Sequence, residues 1–371
     1  MTNRNVIGGL RQIGRRTYRV LAIESSCDDC CVAIINRPNK NNAYLERHIK
    51  STLNSCATGG VIPTDALTHH LSKLAPIVNE AVRSSNTDND KISLICATQG
   101  PGFYSSLAAG MQLGKGLSIA WNVPFVPVHH MLGHLLTPRF NGGPRFPFLS
   151  LLVSGGHTML VHSKSLYDHK ILLNTIDISV GNSLDKCARL IGIRGTMLGR
   201  EMHQFIDKST PRDKYDFIQA LDGYKKRVPA FSFAHYVSVM QRMAKELNVD
   251  LADLAVGQRQ QIAASIEDSM FSHIIQKIQL TKQMHPEITD LPLVCSGGVS
   301  ANMRLRQMLN DSQREVIYPD PQWCTDNALM IGWAGIEMFE NEKMDPSVFG
   351  NSLTAEPVAK WPLDELVRPS R

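Results

Sequence analysis

Two imidazoles stand one helical turn apart at His130 and His134, in Pro127-Val128-His129-His130-Met131-Leu132-Gly133-His134, directly after an apolar run. Residues four apart on a helix share a face. The pair can therefore offer two nitrogens to one metal ion and leave further positions open, as a catalytic metal requires. With 13 histidines in 371 residues such a pair is no rarity, so its meaning depends on a third ligand. The best remote candidate is Asp326, in Cys324-Thr325-Asp326-Asn327 ahead of the apolar run 328–336. Two readings of that carboxylate stand side by side: a metal ligand, or the N-cap of the adjoining helix. Two histidines and a carboxylate suit Zn²⁺ or Fe²⁺ better than a thiolate-binding metal. The helical zinc-protease motif places a general-base Glu after its first histidine. Met131 occupies that position here, which argues against peptide hydrolysis by that route.

A second kind of chemistry is suggested by three small polar turns, each following an apolar strand-like run. These are Glu24-Ser25-Ser26-Cys27-Asp28-Asp29, Ser154-Gly155-Gly156-His157-Thr158 and Ser296-Gly297-Gly298-Val299-Ser300-Ala301-Asn302. Glycine lets backbone N–H groups approach a ligand closely, and successive amides or a helix start form a concave anion site that suits a phosphate. One Ser-Gly-Gly marks only a bend, but a turn of this kind in each half of the chain favours the phosphate reading. Cys27 and Cys30 have zinc or redox spacing, yet no second pair completes four ligands, so they are read as structural or incidental. The eight cysteines are scattered, most of them in apolar runs, as in a reducing compartment.

The elements that must position these groups follow from periodicity. Strands are expected over 18–23, 32–35, 92–98, 125–128, 148–153, 159–161 and 291–295, and helices over 63–82, 105–119, 130–136, 251–280 and 328–336, with a further helix after Asn302. The first two strand-turn-strand units begin about 130 residues apart, which points to an internal duplication and to two similar α/β lobes facing a cleft. Residues 207–229 mix Asp, Lys and Arg and read as a surface insertion. The expected division is a leader over 1–17, an N-terminal lobe over 18–146, a C-terminal lobe over 147–345 and a tail over 346–371.

The net charge of +5 is concentrated at one end. Arg4, Arg11, Arg15, Arg16 and Arg19 precede the first acid, Glu24, and the rest of the chain balances 34 basic against 34 acidic residues. A polyanionic partner would thus need a local patch. The arginine-rich, acid-free start reads as a mitochondrial targeting segment, with a basic arm as the alternative. No apolar run approaches the length of a membrane span.

Taken together, Ile23-Glu24-Ser25-Ser26-Cys27-Asp28-Asp29, His129 to His134, Val153-Ser154-Gly155-Gly156-His157-Thr158, Ser183-Leu184-Asp185-Lys186, the turn at Ser296 to Asn302 and Cys324-Thr325-Asp326-Asn327 resemble the tRNA N6-adenosine threonylcarbamoyltransferase family, and with the basic leader its fungal mitochondrial branch. The resemblance implies a two-lobed actin, sugar-kinase and chaperone-ATPase (ASKHA) fold, with duplicated ribonuclease-H-like lobes around a cleft. It implies transfer of a threonylcarbamoyl group from threonylcarbamoyl-AMP to N6 of the adenosine 3′ of the anticodon in ANN-reading tRNAs, giving t6A and AMP.

By matching motif, His130, His134 and Asp326 would bind one divalent metal. Leu152, Val153, Ser154, Gly155 and Gly156 would line the phosphate and carbamoyl region. Asp185 would hold the ribose, Gly199 would lie beside the nucleoside and Asn302 would contact the nucleotide. Asp29 is the candidate for a polar or general-base role, against a plain turn carboxylate, and an ion pair with Arg189 competes for Asp185. The resemblance further implies a homodimer in the mitochondrial matrix, supplied by a threonylcarbamoyl-AMP synthase and acting on tRNA without a membrane.

The chain departs from the family at Asp29 and Leu132, where Glu is common, at Thr68-His69-His70, at Phe231-Ser232-Phe233-Ala234-His235, and at Leu198-Gly199 in place of a Gly-Gly pair. Competing functions are a small-molecule carbamoyltransferase or kinase of the same fold and a non-catalytic nucleotide-binding assembly module.

Overall fold

A strand buried on both faces needs cover on each, and β1 (Tyr18–Glu24), Arg19 and Glu24 included, is buried at every position. In the computed structural model, which describes residues 18–55, 60–83, 91–217, 221, 228–342 and 345–367, it is the central strand of a five-stranded sheet. It pairs antiparallel with β2 (Asp29–Asn39) and parallel with β4 (Ile92–Gly100). Outside them lie β3 (Asn42–Thr52), antiparallel to β2, and β5 (Phe125–His129), parallel to β4. The order is β3-β2-β1-β4-β5. The edge strand β3 carries exposed Arg47 and Lys50, charges of the kind that discourage further strand pairing. The leader expected over 1–17 lies outside the described residues.

Side chains alternate across a strand, and the two faces of β1 receive different helices. Leu21 and Ile23 join a core with Leu74, Ile77 and Val78 of α1 (Pro63–Arg83) and Met111 of α2 (Tyr104–Trp121). Ala22, on the opposite face, lies under α9 (Ala328–Asn341), which packs along β1, β2, β4 and β5. That approach depends on a missing side chain. A Cβ on Gly335 would come within 2.3 Å of Cys96 Sγ, so alanine there would lift the helix off the sheet. The short α3 (His130–Leu136) follows β5 directly and packs against α9.

The second sheet repeats the plan. A meander of β6 (Phe148–Val153), β7 (Thr158–Ser163) and β8 (His169–Asn174) is followed by the parallel strands β9 (Leu293–Ser296) and β10 (Val316–Ile317), in the order β10-β9-β6-β7-β8. Read from β8, this is the strand sequence of the first sheet, so the duplication inferred from the two strand-turn units extends to the whole sheet topology. The core of this sheet is completed by α4 (Val180–Leu190), α5 (Leu198–Phe205), α6 (Ala234–Leu247), α7 (Val256–Met284) and α8 (Met303–Ser312).

Three expectations are revised. The chain forms two units, one of Met1–Gly142 with Asp326–Arg371 and one of Gly143–Thr325. Residues 326–345, expected in the C-terminal lobe, thus belong to the first unit, because the apolar surface of α9 is buried on the first sheet. The expected helix over 251–280 is divided. The Asp250 side chain accepts from the Ala252 N–H at 2.9 Å and closes a separate turn at Leu251–Asp253, so α7 begins only at Val256. The expected surface insertion at 207–229 is anchored where it is described: Phe217 is buried and Arg212 pairs with two carboxylates. Among the described residues no helix is long and apolar enough to cross a membrane.

Candidate metal centre and nucleotide turns

The residues after Thr325 show which side chain caps α9. Asn327, not Asp326, caps α9, its side chain accepting from the Met330 N–H at 2.9 Å. The Asp326 carboxylate is free of that task and turns to α3. Its Oδ1 lies 3.0 Å from His134 Nε2 and 3.7 Å from His130 Nε2. These three atoms fall within 4.8 Å of one another, and among the described residues they form the group of side chains that could hold a metal ion. Ligands about 2.0–2.2 Å from a single ion stand roughly 3–3.6 Å apart, so the Asp326–His134 pair already has that spacing and small side-chain rotations would bring His130 to it.

Two flanking contacts set the imidazoles. His129 caps α3: its Nδ1 accepts from the Met131 N–H at 3.1 Å, so its ring proton sits on Nε2, which donates to the Trp361 carbonyl at 3.1 Å. His130 Nδ1 donates to Glu24 Oε2 at 3.2 Å, which turns its Nε2 toward Asp326. Glu24 is fully buried at the end of β1 and also accepts from the Ser26 N–H at 2.6 Å and from the Thr98 hydroxyl. Carboxylate, histidine and metal in line is the usual means of orienting a metal-bound imidazole and raising its basicity.

The electrostatics agree with that arrangement. Burial opposes protonation of His130, but the carboxylates of Glu24 and Asp326 outweigh it and push its pKa up to about 9. Burial likewise works against ionised Asp326 and Glu24, yet the histidines hold both below the usual carboxylate range. Carboxylates and imidazoles gathered in this way around one point form a site in which a divalent cation can replace protons.

Asp29 lies nearby on β2, its oxygens engaged by Lys50 Nζ at 2.6 Å and by the Thr52 hydroxyl. Burial raises its pKa to about 6 despite the Lys50 ammonium. The same ammonium donates to the Asp326 carbonyl at 2.9 Å, so Lys50 ties Asp29 to the backbone of a candidate ligand. Cys27 and Cys30 are free cysteines and are not among the residues of the candidate metal group.

The second unit places Leu152 to Gly156 at the end of β6 and Asn302 just past the turn that follows β9, with Asp185 and Gly199 on α4 and α5. Leu152 and Val153 are buried and paired with Met159 and Thr158 inside the ladder, while Gly155 and Gly156 are exposed at the apex of the turn, with open space where a Cβ would stand. Ser154 fixes the bend: its N–H donates to the His157 carbonyl at 2.8 Å, and its hydroxyl accepts from the N–H groups of Gly156 and His157. Gly297, in the neighbouring turn, has φ +94°, and a Cβ on it would meet the Val153 carbonyl at 2.4 Å. The two glycine turns can touch only because this position is glycine.

Asp185 and Gly199, 14 residues apart, are brought together, the Gly199 N–H donating to Asp185 Oδ1 at 2.7 Å. Among the described residues no ion pair joins Asp185 to Arg189; Asp185 is instead committed to the start of α5. Burial raises its pKa. Asn302 caps α8, its Oδ1 accepting from the N–H groups of Arg304 and Leu305, while Nδ2 donates to Glu267 Oε1 at 2.7 Å. One of its two amide hydrogens is left over.

Sequence pattern gives no hint of Lys50, Thr98, Glu267 or His203, and it shows Glu24 only as a member of a motif. A charged residue closing an otherwise apolar strand, as Glu24 does, is the one local signal available.

Residues 45–333 match the family described as TsaD, tRNA N6-adenosine threonylcarbamoyltransferase. The chain is 34% identical over 379 residues to the mitochondrial tRNA N6-adenosine threonylcarbamoyltransferase of Schizosaccharomyces pombe, covering 95% of this chain and 88% of that one. It is 33% identical to the enzyme of the same name from Rhizobium etli, covering 93% and 94%. Among solved structures it resembles full-length HypF in its phosphate- and nucleotide-bound form, with a TM-score of 0.57 at 13% identity, over 87% of this chain and 47% of that one. The HypF of T. kodakarensis gives 0.58 at 12% identity, over 88% and 48%. The chain thus spans about half the length of either HypF, and at such identities the likeness speaks for the ASKHA fold alone.

Proposed function

The chain belongs to the tRNA N6-adenosine threonylcarbamoyltransferase family, and from that premise we propose that it transfers the threonylcarbamoyl group of threonylcarbamoyl-AMP to N6 of the adenosine 3′ of the anticodon in ANN-reading mitochondrial tRNAs. N6 attacks the carbamoyl carbon, the bond from that carbon to the phosphate oxygen breaks, AMP leaves, and N6 gives up one proton. The observation that carries the reading is the convergence of His130, His134 and Asp326 on one point inside the first unit.

An exocyclic adenine amine is a poor nucleophile, so the protein must stabilise charge on the leaving phosphate and on the carbonyl oxygen. A divalent ion held by His130, His134 and Asp326, with Zn or Fe the best match to that donor set, would supply Lewis-acid stabilisation. Glu24 keeps the His130 proton on Nδ1, so that Nε2 remains a ligand. In the second unit, the reading gives the turn from Leu152 to Gly156 to the phosphate and carbamoyl oxygens, Asp185 to the ribose, Gly199 to the nucleoside and Asn302, through its remaining amide hydrogen, to the nucleotide. Asp29, ionised above a pH of about 6, is the residue assigned the N6 proton.

The remaining assignments rest on family and leader together. The protein works as a homodimer in the mitochondrial matrix, on threonylcarbamoyl-AMP made by a separate synthase. The test is direct. Purified protein with tRNA, threonylcarbamoyl-AMP and a divalent metal should yield t6A, detected by mass spectrometry of the digested tRNA, and His130→Ala should abolish it. Unmodified tRNA from the wild-type reaction refutes the proposal.

A further inference from the structure

Glu267, midway along α7, is fully buried and has no part in the proposed chemistry. Its carboxylate nevertheless accepts three side-chain hydrogen bonds, each from a different segment of the second unit. Oε1 accepts from His203 Nδ1 at 2.9 Å and from Asn302 Nδ2 at 2.7 Å, and Oε2 accepts from Arg212 Nη1 at 2.9 Å. Arg212 also reaches Asp268 at 2.7 Å, and Asp268 in turn holds Arg304, two residues beyond Asn302. Burial favours the neutral acid, but the three donors hold its pKa below the usual carboxylate range, so the group is an anion.

A buried anion is a costly way to fill space, since an apolar side chain of similar volume would serve packing as well or better. What the anion adds is direction. As an acceptor only, it requires the amide nitrogen of Asn302 to face it, while the first N–H groups of α8 require the amide oxygen. The two demands together fix which way round that amide lies. The third partner, His203, is on α5, the helix whose second residue, Gly199, bonds Asp185. One carboxylate thus connects the last turn of α5, the helix that carries Gly199, with the head of α8 at Asn302.

We infer that Glu267 is a positioning residue for nucleotide binding, setting the amide of Asn302 and tying α5 to α8 so that the contacts of Gly199, Asp185 and Asn302 act on one nucleotide. This rests on the proposed function, which gives those three residues to the adenylate.

The experiment is a double-mutant cycle on AMP affinity, measured by calorimetry with the full chain. The variants are Glu267→Gln, Asn302→Ala and the pair together, with thermal unfolding of each. Gln preserves shape but must turn its NH₂ toward one of three donors. Glu267→Gln is expected to weaken AMP by about tenfold, the scale of one well-made hydrogen bond. The double variant should lose clearly less than the sum of the two single losses, because part of the effect of Glu267 passes through Asn302. His203→Gln, at a partly exposed position, perturbs the same oxygen and serves if Glu267→Gln fails to fold; it should weaken AMP several-fold at unchanged melting temperature. Additive losses, or AMP bound to the folded Glu267 or His203 variant as to the wild type, overturn the positioning role alone. No AMP binding by the wild type, or none of the expected loss in Asn302→Ala, overturns the proposed placement of the nucleotide and this role with it.

Discussion

Replacing Glu24 by Gln should weaken metal binding without touching a ligand. The wild-type carboxylate accepts three hydrogen bonds, from Ser26, Thr98 and His130, and an amide has one oxygen fewer. If the Gln NH₂ takes the place of Oε2, it faces His130 Nδ1 as a donor and drives the imidazole proton to Nε2, where it must be expelled before a metal can bind. If the amide turns round, its NH₂ meets the Ser26 N–H, and two donors oppose each other in a site with no exposure to water. Loss of such an outer partner typically costs 10- to 100-fold in metal affinity, or about 1.4–2.7 kcal/mol. Competition of Zn²⁺ against a chromophoric chelator measures it, and the d–d bands of Co²⁺ check that ligand number is unchanged. A dissociation constant within threefold of wild type in a folded variant would refute the orienting role of Glu24.

Two further expectations concern stability. In metal-free protein the pKa of His130 is raised from the ordinary 6.5 to about 9, so its stabilisation is complete below pH about 6.5 and is lost as pH rises through about 9. Denaturant titrations should show up to about 3 kcal/mol falling away over that window at 1.36 kcal/mol per unit, and a smaller fall in Glu24→Gln; equal slopes would contradict the assignment. Gly297→Ala should cost more than about 2 kcal/mol, since it combines a left-handed backbone with a Cβ driven into the Val153 carbonyl. A loss under about 0.5 kcal/mol by the same method would mean that the two glycine turns can separate freely.

Much of this architecture is written in short-range pattern. The strands at β1, β4, β5 and β6 and the helices α1, α2 and α3 lie where apolar periodicity places them, because each buries one continuous face or is buried on both. The metal group is legible in part, through a histidine pair visible at a spacing of four and a carboxylate marked only by its position. Local pattern cannot decide whether Asp326 caps the adjoining helix; the structure gives that task to its neighbour, since Asn327 reaches the Met330 N–H.

The hidden part is long-range. Glu24 meets His130 across 106 residues and Asn302 meets Glu267 across 35, and no periodicity records such pairs. The placement of α9 escapes sequence pattern for the same reason. Its apolar face announces burial but not on which of two similar sheets.

The last stretch of the chain has a bearing on when the metal centre can exist. The Val358 N–H donates to the Gln99 carbonyl, the Gly102 N–H to that of Ala359, and the Trp361 carbonyl receives the proton of His129, the residue that starts the metal-binding helix. A chain emerging N-terminus first, from a ribosome or through a translocation pore, presents His134 a full 192 residues before the Asp326 that completes the set. Until then the two histidines offer a weak, two-handed grip on any ion they meet. If the proposed ion is bound there, tight loading would wait for the segment that carries Asp326 and Trp361, and a product truncated before it should leave the histidines poorly capped and any ion easily lost. The order of synthesis would then itself guard against loading an unfinished chain.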